Sequence, residues 1–427
     1  MRAGRGRTVS VVTAALVTVS IALGGCGRSD DGPQTNDVAS VDDSPAEGDL
    51  TVWAFTNQAA AVEQISEGFV AENPDVSVSV TPVSVDELPR KLETAIASGE
   101  VPDIIQPSTG LQTYAETGGI APVPEDLMDW DAFFPGAIDT VTFDEVKYAV
   151  PWYVTVFGFY YRADLAEEAG VEAPTTWDEV LDFAAALESS EGMANPYFQF
   201  QSGTAAWQTL VTYMYSAGAE LVVDDEFDFD SPEVVAALEY YQQVFADEYT
   251  NINFAPTAVG EVEAAFADGR VGSYVTGSYS YDVALEALGG DDSKIGVVPL
   301  PAGPAGGNAY LGGSGLAVTA DSQNKDAAFK LLRWMSTPES QQELYEVSSV
   351  LPAATGAWES GPLAESESGR AFAAQLENST ALPAVETWTR VREVLATYAE
   401  QLARQVITPE DAAAAIQQEA AAIGTGR

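Results

Sequence analysis

Side chains able to run acid–base, nucleophilic or metal chemistry are scarce in this 427-residue chain, which has no histidine and a single cysteine, Cys26. Without histidine there is no Ser-His-Asp or Cys-His arrangement, no imidazole metal site and no ready general base near neutral pH. Carboxylate is what remains in quantity: 65 acidic residues stand against 18 basic ones. Two carboxylates can hydrolyse a glycoside, but among 65 acids a neighbouring pair carries no information, and none sits in a recognisable catalytic motif. The other resource is non-covalent. Aromatic rings supply flat apolar faces, and loops rich in amides and hydroxyls supply directed hydrogen bonds. That combination suits binding better than reaction.

The formal net charge of -47 repels nucleic acid and anionic lipid headgroups, so neither is an expected partner. A hydrophobic content of 46% argues for a packed globule and not for acidic disorder, with the acids on solvated faces. Arg2, Arg5 and Arg7 lead into an apolar run that ends at Leu23-Gly24-Gly25-Cys26. This order reads as a secretory signal, too short and wrongly flanked for a spanning helix. Its ending resembles the lipobox of bacterial lipoproteins, which implies a signal peptide over 1–25 and acylation of Cys26. Residues 26–48, rich in Asp, Ser, Pro, Asn and Gly, then read as the acylated cysteine and a disordered tether. The expected location is outside the cell, at the outer face of the cytoplasmic membrane, held there by the lipid alone. One thiol makes no intrachain disulfide.

The elements that must position any site are legible in part. Leu50 to Phe55 is a short apolar run, predicted as a buried strand. An amphipathic helix is predicted from Ala59 to Glu72, with Val62, Ile65, Phe69 and Val70 on one face and Asn73-Pro74-Asp75 as its stop. Val76 to Val80 alternates as a strand does, Asp86 to Ser98 reads as a helix closed by Gly99, and Asp103 to Ile105 as a third strand. This alternation predicts right-handed crossovers and a parallel sheet. Thr175 or Thr176 caps a later helix, with Glu179 near the capping-box position. Further strands are predicted at Val271–Val275, Ile295–Pro299 and Gly315–Val318, and helices at Ala205–Ala217, Pro232–Glu248, Val259–Asp268 and Asp326–Met335. Helices near Pro338–Tyr345, Trp388–Gln405 and Pro409–Ile423 complete an α/β chain long enough for two domains.

Several segments recur in an informative order. Leu50-Thr51-Val52-Trp53 is followed by Phe69-Val70-Ala71-Glu72-Asn73-Pro74, then by Gly99-Glu100-Val101-Pro102-Asp103-Ile104-Ile105. Next come Tyr148-Ala149-Val150-Pro151-Trp152, Phe159-Tyr160-Tyr161-Arg162-Ala163-Asp164-Leu165 and Pro174-Thr175-Thr176-Trp177-Asp178-Glu179. Gly269-Arg270-Val271-Gly272-Ser273-Tyr274, Gly277-Ser278-Tyr279, Pro299-Leu300-Pro301 and Gly312-Gly313-Ser314-Gly315 follow. In this order, behind Cys26, they resemble the extracellular solute-binding proteins of ABC importers, and within them the sugar-binding group that includes maltose-binding protein. The resemblance implies a two-lobed periplasmic-binding-protein fold, each lobe a sheet flanked by helices, joined by a multi-segment hinge. One lobe would take 49–154 plus 299–335, and the other 157–297 plus 338–427. It implies a monomer without catalysis or cofactor, whose partners are a neutral mono- or oligosaccharide and the transmembrane subunits of an ABC permease.

Sugars need aromatic faces against their C–H surface and polar groups for their hydroxyls. Carried over position by position, the resemblance points to Asn57 and Gln58 after the first strand, Ser108 and Thr109 after the third, and Trp152 and Tyr153 at the first crossing between lobes. Trp207 follows Gly203-Thr204 at a helix start, and Tyr279 stands where relatives often carry tryptophan. Gly313 and Ser314 could bring backbone N–H groups close to a ligand, and Trp388 opens a late helix. Plain alternatives stand beside these: helix capping for the polar pairs and core packing for the aromatics. Asp103 reads as structural. Asn57-Gln58 replaces an acid and a lysine of the maltose-binding pattern, and Ser202-Gly203-Thr204 replaces an acidic, aromatic turn. A neutral sugar is implied, but not maltose itself. A polyamine or other cationic solute on the same fold, and an exported carboxylate-dependent glycosidase, are the alternatives.

Overall fold

A computed structural model describes residues 41–426 apart from 86, 108, 109, 257 and 259. Gly48–Phe55 pairs in parallel with Val76–Val83 and with Ile104–Ile105. The helices Ala59–Glu72 and Leu88–Ser98 make the connections, as strand–helix alternation predicts. The first helix occupies the predicted residues and buries Val62, Ile65 and Phe69. Both threonines of the predicted cap serve the helix Trp177–Leu187. Thr176 Oγ1 accepts from the Glu179 N–H at 3.3 Å, while Glu179 accepts from the Thr175 N–H at 2.7 Å and from its hydroxyl at 2.6 Å.

Two strands, one that the sequence pattern does not announce and one that it announces only at its end, tie the sheet together. Val150–Arg162 runs for 13 residues, almost all of them buried, as expected of a strand covered on both faces. Its first half pairs antiparallel with Ala309–Val318, which begins well before the predicted Gly315 and continues to Ile104–Ile105. Its second half, from Phe157, pairs instead with Ser273–Gly277 and Ile295–Val298. The long strand thus passes from one set of partners to another between Val156 and Phe157. Among the described residues no helix is long and apolar enough to cross a membrane.

The chain just before the first strand corrects an expectation. Composition predicts tether as far as residue 48, yet Ala46 is buried and its N–H donates to Asn73 Oδ1 at 2.9 Å. Lys330 Nζ, itself buried, lies 3.0 Å from Asp42 Oδ1, 3.1 Å from Ser44 Oγ and 2.8 Å from Asp326 Oδ2, and Arg333 meets Asp43 at 3.3 Å. The acids of this segment look solvated in sequence because the cation that holds Asp42 lies 288 positions further on.

The hydrogen bond from Ser44, aided by Lys330, holds the Asp42 carboxyl well below the usual carboxylate range. A depressed carboxylate stabilises the docked form above its unfolded pKa, about 4, and that contribution fades as pH falls towards the folded value. Lys330→Met should therefore speed hydrogen exchange at the Ala46 amide a few-fold at neutral pH, since its Asp42 partner is largely exposed. It should also reduce, without removing, the loosening expected of wild type below about pH 4, because the Ser44 hydrogen bond still holds the Asp42 carboxyl down. Equal protection of Ala46 in the two proteins would contradict the docking.

Candidate ligand site

Alternation along Val150–Arg162 decides which side chains reach the surface. Tyr153 and Thr155 are partly exposed on one face, whereas Trp152, Val154 and Val156 are buried on the other. Trp152, only 1% exposed, is therefore corrected from site to core. Its carbonyl accepts from Gln341 Nε2 at 3.1 Å. Trp152→Ala should cost about 3–5 kcal/mol of stability and leave the affinity of the folded protein unchanged. Titration of a ligand beside a melting curve checks this, and lost affinity without lost stability would return Trp152 to the site.

In the strand register Ser314 lies opposite Tyr153 and Gly312 opposite Thr155. A Cβ at Gly312 would come 2.5 Å from the Tyr310 hydroxyl oxygen. Glycine there lets the phenol fold back across its own strand. Gly313 has φ +146°, and a Cβ on it would come 2.3 Å from the Tyr153 carbonyl oxygen, so glycine there allows the two strands to meet.

An aromatic wall rises from this floor. Tyr310 meets Phe157 edge-on at 6.1 Å between ring centroids and Trp207 at 5.7 Å, and Trp207 meets Trp388 at 6.4 Å. A recess of about 140 Å³ lies against Tyr310, Gly312, Gly313 and Trp388. Gln112, Asp139, Thr140 and Thr142 face it from elsewhere in the chain, and the segment 381–385 straps it. The strap follows the strand Ser379–Ala381, which pairs in parallel with residues 309–311. A more open hollow of about 480 Å³ lies against the same strap, reached by Tyr215, Asn308 and Thr380. The Trp388 Nε1–H, like that of Trp152, is buried and has no hydrogen-bond partner in the protein, but of the two only Trp388 lines the recess. Each such donor costs about 1–3 kcal/mol while it stays unpaired.

Polar groups below the wall are held in fixed orientations. The Phe55 N–H donates to Gln106 Oε1 at 2.9 Å, and Gln106 Nε2 donates to Gln58 Oε1 at 3.0 Å. With its carbonyl so engaged, Gln58 turns its NH₂ group towards the Tyr153 hydroxyl. Burial raises the Tyr153 pKa, and this Gln58 contact opposes the rise. Burial also pushes Tyr310 up to about 12, against the influence of the Gln208 side chain and the Arg392 charge. Partial burial raises the Asp139 carboxyl above its ordinary value. At neutral pH both phenols keep their protons and can donate to a ligand. Among the described residues there is no group of acids, cysteines or histidines able to hold a metal ion.

The expected site residues distribute unevenly. Gly313 and Trp388 line the recess, while Trp207, buried, backs both Tyr310 and Trp388. Tyr153 and Gln58 do not line the recess, and Gln58 is buried; Ser314 is buried too and donates to the Gly315 carbonyl at 3.2 Å. Asn57 is exposed ahead of the first helix. Tyr279 opens the helix Tyr279–Ala287 with its ring against Gly277 and its hydroxyl 3.0 Å from Thr276 Oγ1, and it is 53% exposed. Gly277 pairs with Phe157 and approaches the Thr155 methyl, so Tyr279 stands over the same stretch of the long strand. Ser108, Thr109 and Cys26 lie outside the described residues. Sequence reasoning missed Thr155, Tyr310, Asp139 and Arg392. Alternation from Tyr153 and Gly312 would have found Thr155 and Tyr310; nothing local marks Asp139.

A family model described as bacterial extracellular solute-binding protein matches residues 53–342. The chain is similar to the diacetylchitobiose binding protein DasA of Streptomyces coelicolor, 26% identical over 363 residues that cover 81% of each protein. It is also similar to the multiple sugar-binding protein of Streptococcus mutans, 25% identical over 67% of this chain and 70% of that one. Among solved structures, the sugar-binding protein MalE of Xanthomonas citri superposes with a TM-score of 0.82 at 27% identity, covering 88% of this chain and 97% of the other.

Proposed function

Because the chain belongs to the bacterial extracellular solute-binding protein family, we propose that it captures a neutral sugar or oligosaccharide between two lobes and delivers it to the transmembrane subunits of an ABC permease. Cys26 would carry the lipid that keeps the receptor, a monomer, at the outer face of the cytoplasmic membrane. The lobes would be 49–154 with 299–335, and 157–297 with 338–427. The change of partners between Val156 and Phe157 supports a crossing just after the expected Tyr153–Thr155. Ligand that bridges both lobes favours the closed form by as much as it binds closed better than open.

One observation carries the reading: Trp388, whose buried N–H has no partner in the protein, lines an aromatic recess with polar groups opposite. A sugar supplies an oxygen for that donor and a C–H face for the rings. No Lys or Arg lines the recess, which disfavours an anionic ligand, and Asp139 is its one acid. A cationic solute would need further converging acids, and a glycosidase would need a second carboxylate. The family is one of solute-binding proteins, not of enzymes.

Micromolar affinity corresponds to about −8 kcal/mol. A thermal-shift panel of maltose, maltotriose, lactose, diacetylchitobiose and spermidine tests the class of ligand. At about 100 times Kd a bound sugar adds about 2.7 kcal/mol to stability and should raise the melting temperature clearly. A shift with spermidine and with none of the sugars would overturn the proposal.

A further inference from the structure

Buried carboxylates are costly unless something holds them, and among the described residues the buried acids are Asp103 and Glu263. Asp103 is accounted for: it accepts from the Thr51 N–H and hydroxyl, from Ser322 and from Asn324, tying strand ends together. Glu263, on the helix Glu261–Ala267, belongs to none of the ion pairs among the described residues. Its Oε1 accepts from Ser280 Oγ at 2.5 Å, and that Oγ lies 3.1 Å from the Tyr274 hydroxyl. A carboxylate only accepts, so the single Ser280 proton goes to Glu263, and Tyr274 must donate to Ser280.

Ser280 follows Tyr279 directly. Two residues before that ring, the Gly277 carbonyl accepts from the Tyr160 hydroxyl at 2.8 Å. The turn from Gly277 to Ser280 is therefore pinned twice, by Tyr160 from the long strand and by Glu263 from a separate helix. An apolar side chain of similar volume would satisfy packing at this position with no charge to desolvate. We infer that Glu263 is a positioning residue for the ligand platform: through Ser280 it fixes the start of the helix Tyr279–Ala287, and with it the angle at which the Tyr279 ring meets a sugar. This rests on the reading of Tyr279 as a ligand contact.

A double-mutant cycle on the complete chain tests it, with whichever sugar of the panel raises the melting temperature most as probe. Tyr279→Ala should weaken binding. Glu263→Leu should weaken it about tenfold in the wild-type background and less than about twofold in the Tyr279→Ala background, since its effect passes through that ring. Glu263→Gln keeps an acceptor oxygen for Ser280 and should bind within about threefold of wild type. Should Glu263→Leu fail to fold, Ser280→Ala breaks the same link and should show the same dependence on Tyr279. Without any ligand, amides at 279–282 should exchange faster in either variant. Equal weakening in both backgrounds, or unchanged exchange, would overturn the inference while the platform stands. A Tyr279→Ala protein that binds like wild type would overturn both.

Discussion

Trp388→Phe should weaken sugar binding by about 5- to 150-fold, the equivalent of about 1–3 kcal/mol for one buried hydrogen bond. The indole is held by protein and not by ligand: it meets Trp207 at 6.4 Å and Phe227 at 6.5 Å between ring centroids. Its N–H is buried and has no partner among the protein's own groups. A ligand oxygen that accepts this bond therefore gains most of its strength without a fresh desolvation cost. Phenylalanine keeps most of the apolar surface and deletes only the donor and part of the ring, so the melting temperature should change little. Trp388→Ala is the poorer test, because an emptied ring site costs about 3–5 kcal/mol of stability and confounds the binding loss. Calorimetric titration of Trp388→Phe, with matched melting curves, checks the expectation; an unchanged Kd would remove the indole from the site.

Gly313→Ala should show the most severe loss of stability of any small substitution near the recess, about 2–4 kcal/mol. Two effects coincide at this position. A side chain is strained at φ +146°, and its first carbon would stand 2.3 Å from the Tyr153 carbonyl oxygen, so the strands carrying Tyr153 and Gly313 would have to part. Gly170→Ala is a fair control, since its φ of +70° strains alanine while the added methyl meets nothing within 4 Å. That control should cost about 1 kcal/mol. Thermal or urea unfolding measures both, and a Gly313→Ala protein no less stable than Gly170→Ala would show that the close approach of the two strands is not needed.

The helices of this fold were legible where pattern and caps agreed. Ala59–Glu72 has an apolar stripe and an Asn-Pro stop, and the helix after Thr176 has its reciprocal cap. Of the two strands that build the site, one was not and the other only from Gly315. Val150–Arg162 is buried on both faces, so its pattern lacks strict alternation, and it carries Pro151 and Gly158. Ala309–Val318 carries Gly312, Gly313 and Gly315 at its centre, which read as a loop until the neighbouring strand and the Tyr310 phenol are seen to need the space. With the strand unseen, Trp152 and Tyr153 looked equivalent; one residue of alternation separates core from site. The docked segment at 42–46 was hidden for another reason, because Lys330 and Arg333 are local to it only in three dimensions.

The most direct measurement is a crystal structure of the complete mature protein with the sugar that most raises its melting temperature. A sugar oxygen about 2.7–3.2 Å from Trp388 Nε1, in the recess between the strand Ala309–Val318 and the strap 381–385, is the predicted result. A sugar bound elsewhere, or bound in the recess with the indole N–H still unpartnered, would contradict the account.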